Sequence, residues 1–550
     1  MKENIIDIYQ RSFVENAELP ALTDYGRNNT ITYFEFAERI ARMHEVFREL
    51  GIEKGDKIAL IGKNTSNWVT VFISTITYGA TIVPILQEFN PLDVQHIVNH
   101  SEAKILFATK AIWDTIEFDA LLNIRAVISI DSDEVFAEKE GEKVSQVMAS
   151  ADALFKKAYP AGFTKEDIKY DHVDDDSVVI LNYTSGTTGY SKGVMITCAN
   201  ITGNAVYGIA SRLHYRGTSN LSFLPLAHAY GCAFDLLVPL CVGTHVNLLG
   251  RIPSPKILVK AMQEVKPHLV VSVPLVLEKV YRKQIVPLIS KGMMRWALNI
   301  PFLDTKIYDQ IRKKLIDAFG GEFEELIIGG APLNPEVEDF LMKINFPFTV
   351  GYGMTECAPL IAYAPWYENK ELSCGRIVDR MTAEIDSPDP RNIAGELRVK
   401  GDNVMLGYYK NPEATAATLK DGWLYTGDLC TLDEDGFLFI RGRSKNMILG
   451  PSGQNIYPEE IEQRINNLPY VCESLVVEEN QRLVALVYPD IEIGATQGLS
   501  FDDLSRMMRE NIDSLNKDLP AYSRIADVKV LHEEFEKTPK RSIKRYLYQH

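Results

Sequence analysis

The chemistry of this sequence concentrates in one stretch, Tyr183-Thr-Ser-Gly-Thr-Thr-Gly-Tyr-Ser-Lys-Gly193. Its glycines let the backbone approach an anion and turn N–H groups toward it. The hydroxyls of Thr184, Ser185, Thr187 and Thr188 add donors, Gly186 sits among them, and Lys192 supplies a point charge. Such a loop suits phosphate. It follows the apolar run Val178 to Leu181, which reads as a buried strand. The spacing is not that of a Walker loop, because Lys192 follows Ser191 and precedes Gly193, so a P-loop kinase or ATPase is disfavoured. A surface hairpin rich in Thr and Gly would share the composition, but so many donors in so few positions offer little to a core.

The loop resembles the signature Tyr-Thr-Ser-Gly-Thr-Thr-Gly-x-Pro-Lys-Gly of the adenylate-forming superfamily, which includes acyl-CoA synthetases, luciferases and adenylation domains of peptide synthetases. Ser191 stands where proline is usual, and a proline there would only pre-set the turn. Three further segments extend the likeness. Ile327-Ile-Gly-Gly-Ala-Pro-Leu333, taken alone, is an ordinary strand-to-helix turn; it gains weight from Thr349-Val-Gly-Tyr-Gly-Met-Thr-Glu356, which resembles the family's Gly-Tyr-Gly-x-Thr-Glu motif. Gly422-Trp-Leu-Tyr-Thr-Gly-Asp428 is the third match.

The resemblance implies roles. Thr184, Ser185, Gly186, Thr187, Thr188 and Lys192 would hold the departing phosphates. Gly330, Ala331 and Pro332 would border adenine, Tyr352 would stack on it beside Gly353, and Thr355 would bond the α-phosphate. Glu356, with Thr184, would bind Mg²⁺, a hard cation that prefers a carboxylate plus phosphate oxygens. Asp428 would accept the ribose hydroxyls, Arg443 would contact ribose or phosphate, and Lys445 would be an interdomain hinge. Gly453 opens a segment that would face coenzyme A once a small domain rotates. His228, in Leu224-Pro-Leu-Ala-His-Ala-Tyr-Gly231, is on base rates a hydrogen-bonded core residue; the resemblance places it beside the acyl group. Lys266 to Tyr281 resembles long-chain members of the family, and without the family is a buried strand leading into an amphipathic helix.

The C-terminus departs from the pattern. The family's Lys-Thr-x-x-Gly-Lys-Ile aligns its catalytic lysine with Ser542 in Lys537-Thr-Pro-Lys-Arg-Ser-Ile-Lys544. A hydroxyl cannot supply that charge. Lys540 and Lys544 are each two residues away, and in an extended segment both would share a side with Ser542, so either is a candidate substitute. A basic tail without a catalytic lysine is the competing reading.

Positioning these groups requires alternating strands and helices. The spacing of Phe36, Ile40, Met43, Phe47 and Leu50 predicts a helix stopped by Gly51; Lys57 to Ile61, Ile105 to Ala108 and Ala126 to Ile130 read as strands. Asn64 to Gln87 is uncharged and long enough to span a bilayer, but its Asn, Ser, Thr, Gly and Pro residues favour a buried helix, Trp68 to Tyr78, then a strand near Thr81 to Pro84. The charge-dense stretch from Asp131 to Asp176 is expected on the surface. The chain of 550 residues is too long for one core. The fold class expected is α/β, with a large N-terminal adenylation domain over 1–444 and a small mobile C-terminal α/β domain over 445–550.

A net charge of −16 argues against nucleic acid as a partner. Seven scattered cysteines without Cys-x-x-Cys spacing suggest reduced thiols and a cytoplasmic setting rather than disulfides or zinc. The polar, charged stretch Met1 to Gln10 predicts no secretory signal. The expected reaction is Mg²⁺- and ATP-dependent activation of a carboxylic acid, favouring a medium- or long-chain fatty acid, followed by transfer to coenzyme A. Delivery to an acyl carrier protein, or a catalytically weakened nucleotide- or acyl-binding protein, stays open, as does peripheral membrane contact.

Overall fold

The computed structural model describes residues 3–27, 29–184, 191–251, 253–289, 303–449, 454–480, 482–538 and 542–549. Helix Tyr33–Glu49 begins at a reciprocal cap, in which Thr32 and Glu35 satisfy each other's backbone N–H groups, and it buries Phe36, Ile40, Met43 and Phe47. Helix Ser66–Tyr78 starts where the Thr65 side chain accepts from the Trp68 N–H. It ends at Gly79, whose φ of 85° is easy only for glycine. Nearly every residue of it is buried, as its uncharged sequence requires.

Two sheets organise the larger part. One runs Phe348–Val350, Glu325–Ile328, Leu269–Ser272, Ser219–Ser222, His245–Leu248, Pro20–Asp24 and Ile31–Thr32, parallel except at the last pairing. The other runs Gly407–Tyr408, Lys192–Thr197, Val178–Thr184, Thr81–Ile85, Lys57–Ile61, Ile105–Ala108, Ala126–Ser129 and Val135–Glu138, parallel in the middle and antiparallel toward both edges. The central strands are continuous apolar runs because both of their faces are covered. The stretch from Asp131 to Asp176 is more than surface. It contributes the edge strand Val135–Glu138 and helices Val144–Ala149 and Ala151–Ala158, and Val144 and Ala151 are fully buried. Its few apolar residues are the anchors that its charge conceals.

A separate sheet of Val471–Glu479, Arg482–Pro489 and Ile525–Val530 carries helices Pro458–Asn466 and Phe501–Asp518. Its apolar residues form cores of their own, one around Ile465, Val476, Val487 and Met508 and one around Phe535, while the main core runs from Ile5 to Leu438. Near the C-terminus Lys537 pairs antiparallel with Ile543, and the Thr538 N–H donates to the Ser542 carbonyl at 2.8 Å.

Arg545 anchors this tail. Its guanidinium lies 2.6 Å from the carboxylate of Glu462, and both side chains are mostly buried. Burial pushes Glu462 up to about 7 against the opposing pull of Arg545. Removing one partner of a buried pair leaves the other charge uncompensated, so Arg545→Ala is expected to lower the stability of this unit by about 3 kcal/mol. Denaturant unfolding followed by a probe within residues 454–549 measures it; an unchanged midpoint would show the pair to be idle.

Candidate functional site

The strand pair Val178–Thr184 and Lys192–Thr197 carries the two ends of the phosphate-type loop. Thr184 and Lys192 are cross-strand partners, so the hydroxyl and the ammonium leave the sheet side by side. Ser185, Gly186, Thr187 and Thr188 lie outside the described residues. The Asn182 side chain donates to the Ala227 carbonyl at 3.0 Å and so ties this strand to the segment bearing His228. His228 caps helix Ala229–Gly231: its Nδ1 accepts from the Tyr230 N–H at 3.3 Å, which leaves the proton of the neutral ring on Nε2.

From His228 the chain enters a π-helical stretch, Cys232–Leu237, and one face of this region closes a cleft. His228, Tyr230, Gly330, Tyr352, Gly353 and Thr355 line it, so residues from three separated motifs meet in one place. Close approach explains the glycines. A Cβ on Gly329 would sit 2.9 Å from the Tyr230 ring, and one on Gly353 would sit 2.2 Å from the Pro359 carbonyl oxygen. Gly330, Ala331 and Pro332 are exposed, and Gly330 lines the cleft.

A second cluster adjoins through Tyr352. Its hydroxyl donates to Asp428 Oδ2 at 2.5 Å, and Arg443 Nε lies 2.7 Å from Asp428 Oδ1. Asp428 is only 3% exposed, and burial raises its pKa although Arg443 pulls it down. A buried carboxylate with both oxygens engaged keeps further lone pairs for sugar hydroxyls. Glu356 lies next to Thr355 and accepts from the Tyr408 hydroxyl at 2.9 Å, while the Lys192 ammonium rests 4.9 Å from the centre of the Tyr408 ring. Thus Thr184, Lys192, Glu356, Thr355, Tyr352, Asp428 and Arg443 form one connected system. Among the described residues no group of three or more His, Cys, Asp or Glu is placed to hold a metal by itself. One carboxylate beside a phosphate loop fits instead a hard cation carried in with phosphate oxygens.

Of the expected C-terminal groups, Lys544 pairs with Glu536 at 3.3 Å within the small unit, and Lys540 and Gly453 lie outside the described residues. Lys445 follows strand Leu438–Arg443, and its neighbour Asn446 donates to Glu459 at 2.6 Å. Sequence reasoning overlooked Tyr230 and Tyr408. The second stands in Gly407-Tyr408-Tyr409, a glycine–aromatic step whose strand is too short to show a period.

Comparison with known proteins decides the family. The profile described as AMP-binding enzyme matches residues 9–409, and that described as AMP-binding enzyme C-terminal domain matches 445–549. The chain belongs to the AMP-binding enzyme family. It is an adenylate-forming acid–thiol ligase. Similar curated proteins include a long-chain-fatty-acid–CoA ligase of Escherichia coli O6:H1, 28% identical and covering 86% of this chain and 83% of its own. The long-chain-fatty-acid–CoA ligase FadD15 of Mycobacterium tuberculosis is 27% identical over 86% of this chain and 81% of its own. Among solved structures, the anthranilate CoA ligase AuaEII in complex with anthranoyl-AMP aligns with a TM-score of 0.78 at 18% identity, covering 99% and 96% of the two chains. ATP-bound MatB from Rhodopseudomonas palustris aligns at 0.76 and 21%, covering 99% and 98%. At such identities these structures speak for the fold, a mixed α/β architecture with a large N-terminal and a smaller C-terminal part. Among the described residues no helix is long and apolar enough to cross a membrane.

Proposed function

We propose that this AMP-binding enzyme activates a medium- or long-chain fatty acid with Mg·ATP and passes the acyl group to coenzyme A. The relatives named long-chain-fatty-acid–CoA ligases support the substrate class. The observation that carries it is the meeting of Thr184, Lys192, Thr355, Glu356, Tyr352, Asp428 and Arg443 in one connected system beside the cleft that His228 lines. In the first step the carboxylate attacks the α-phosphorus, pyrophosphate leaves, and an acyl-adenylate forms. Thr184 and Lys192 hold the phosphates, Thr355 the α-phosphate, and Asp428 with Arg443 the ribose. Glu356 and Thr184 would hold Mg²⁺, which when bound offsets phosphate charge. In the second step the thiol attacks the acyl carbonyl and AMP leaves.

We place the boundary between the units at Lys445, supported by the separate cores on either side. Rotation about it brings a different face of the small unit to the cleft for each half-reaction. Carboxylate-dependent exchange of labelled pyrophosphate into ATP, run over acids of increasing length, tests the reading. Exchange peaking at a medium or long chain is expected; none with any acid would defeat it.

A further inference from the structure

Tyr408 falls in none of the motifs that carry the family resemblance, yet it touches two of them. Strand Gly407–Tyr408 adds antiparallel to Lys192–Thr197 with Tyr408 opposite Val194, which sets it beside the hairpin that ends in Thr184 and Lys192. Its backbone is fixed on two sides. The Tyr408 N–H donates to Thr415 Oγ1 at 2.9 Å, and the next N–H, of Tyr409, donates to the Gly193 carbonyl at 2.8 Å. Glu356 is pinned to the same turn, because the Met405 N–H donates to its carbonyl at 2.9 Å. From this fixed base the phenol hydroxyl reaches Glu356 Oε1 at 2.9 Å, and the ring faces the Lys192 ammonium at 4.9 Å. A phenol hydroxyl can donate and a carboxylate oxygen can only accept, so Tyr408 is the donor of this bond.

We propose that Tyr408 is a positioning residue for Mg·ATP: its hydroxyl holds one oxygen of Glu356 so that the carboxylate is turned for the cation, and its ring parks Lys192 until polyphosphate arrives. Two groups of opposite charge, Glu356 and Lys192, lie near one phosphate loop and would neutralise each other if they met. The tyrosine keeps them apart, accepting the cation on its π face and giving the carboxylate a neutral donor. A cation over a ring is a weak hold compared with several phosphate oxygens, so Lys192 is released when nucleotide binds. A tyrosine that merely cements the edge strand would show none of the metal dependence that follows. The inference rests on the reading of Glu356 as the carboxylate of the Mg·ATP site.

The test is calorimetric binding of ATP to the full-length protein, once with EDTA and once with Mg²⁺, with no carboxylic acid present. Tyr408→Phe keeps the ring and loses the hydroxyl, so the Kd for Mg·ATP is expected to rise about tenfold, as loss of one hydrogen bond to a charged group implies, while the Kd for metal-free ATP changes less than about twofold. In a Glu356→Gln background the same change is expected to have no further effect, because its target is already neutral. Tyr408→Ala, which also removes the ring, should weaken metal-free ATP as well. Thermal unfolding of each variant guards against simple misfolding. Equal weakening with and without Mg²⁺ in Tyr408→Phe, an undiminished effect in the Glu356→Gln background, or wild-type binding indifferent to Mg²⁺ would each overturn the proposal. Failure to adenylate any fatty acid would instead overturn the substrate reading and leave these titrations standing.

Discussion

An Asp428→Ala variant is expected to raise KM for ATP about 100-fold, because hydrogen bonds from ribose hydroxyls to a charged acceptor are worth about 1.5–3 kcal/mol each and 1.4 kcal/mol is a factor of ten. On the proposed reading the carboxylate is held for this task. Tyr352 donates to one oxygen, Arg443 lies against the other, and only 3% of the residue is exposed, so little water competes for it. The substitution also leaves Arg443 without its partner, which adds to the loss. Sugar analogues separate ribose recognition from general disturbance. Wild type should discriminate against 2′-deoxy-ATP or 3′-deoxy-ATP, and the variant should treat them like ATP. An unchanged KM, or discrimination that survives the substitution, would mean that ribose binds elsewhere.

The same residues show what sequence can and cannot reveal. Lys57–Ile61 and Ile105–Ala108 were legible to the residue, because strands covered on both faces are unbroken apolar runs with sharp polar edges. Tyr352, Thr355, Glu356 and Asp428 were legible as motifs, and the structure brings them together. That Tyr352 bonds Asp428 was not legible, since 76 residues separate them. Tyr408 stayed hidden for a related reason: its strand is two residues long, and its meaning comes from Glu356, 52 positions away. At the tail alternation is a weak guide, because Lys537 pairs antiparallel with Ile543 and Arg545 is held against Val476 and Glu462 on other elements. Local pattern predicts an element where its stabilising partners are generic, as in a sheet core. It fails where one specific distant partner decides the geometry.

That failure bears on the lysine question, where the second large effect is expected. Adenylation crowds a carboxylate against the α-phosphate, and a cation at that point is worth what one oxyanion donor is worth, about 100- to 1,000-fold in rate. Ser542 cannot provide it. We propose that Lys540 or Lys544 does, delivered when the small unit turns about Lys445. Among the described residues the Lys544 ammonium pairs with Glu536, at 3.3 Å with both side chains partly exposed, a pairing worth about 1 kcal/mol or less. Exchanging it for a carboxylate–phosphate site is therefore favourable. The double variant Lys540→Ala with Lys544→Ala should lose roughly 100-fold or more in pyrophosphate exchange, the scale set by removing one such charge. Thioester formation from supplied acyl-adenylate should change little, because that step no longer joins two anions. Adding Ser542→Lys to the double variant should recover exchange by restoring the family's own arrangement. If the double variant exchanges pyrophosphate as well as wild type, neither lysine stands in for the missing one, and the charge must come from the large domain, where Lys192 is the first candidate.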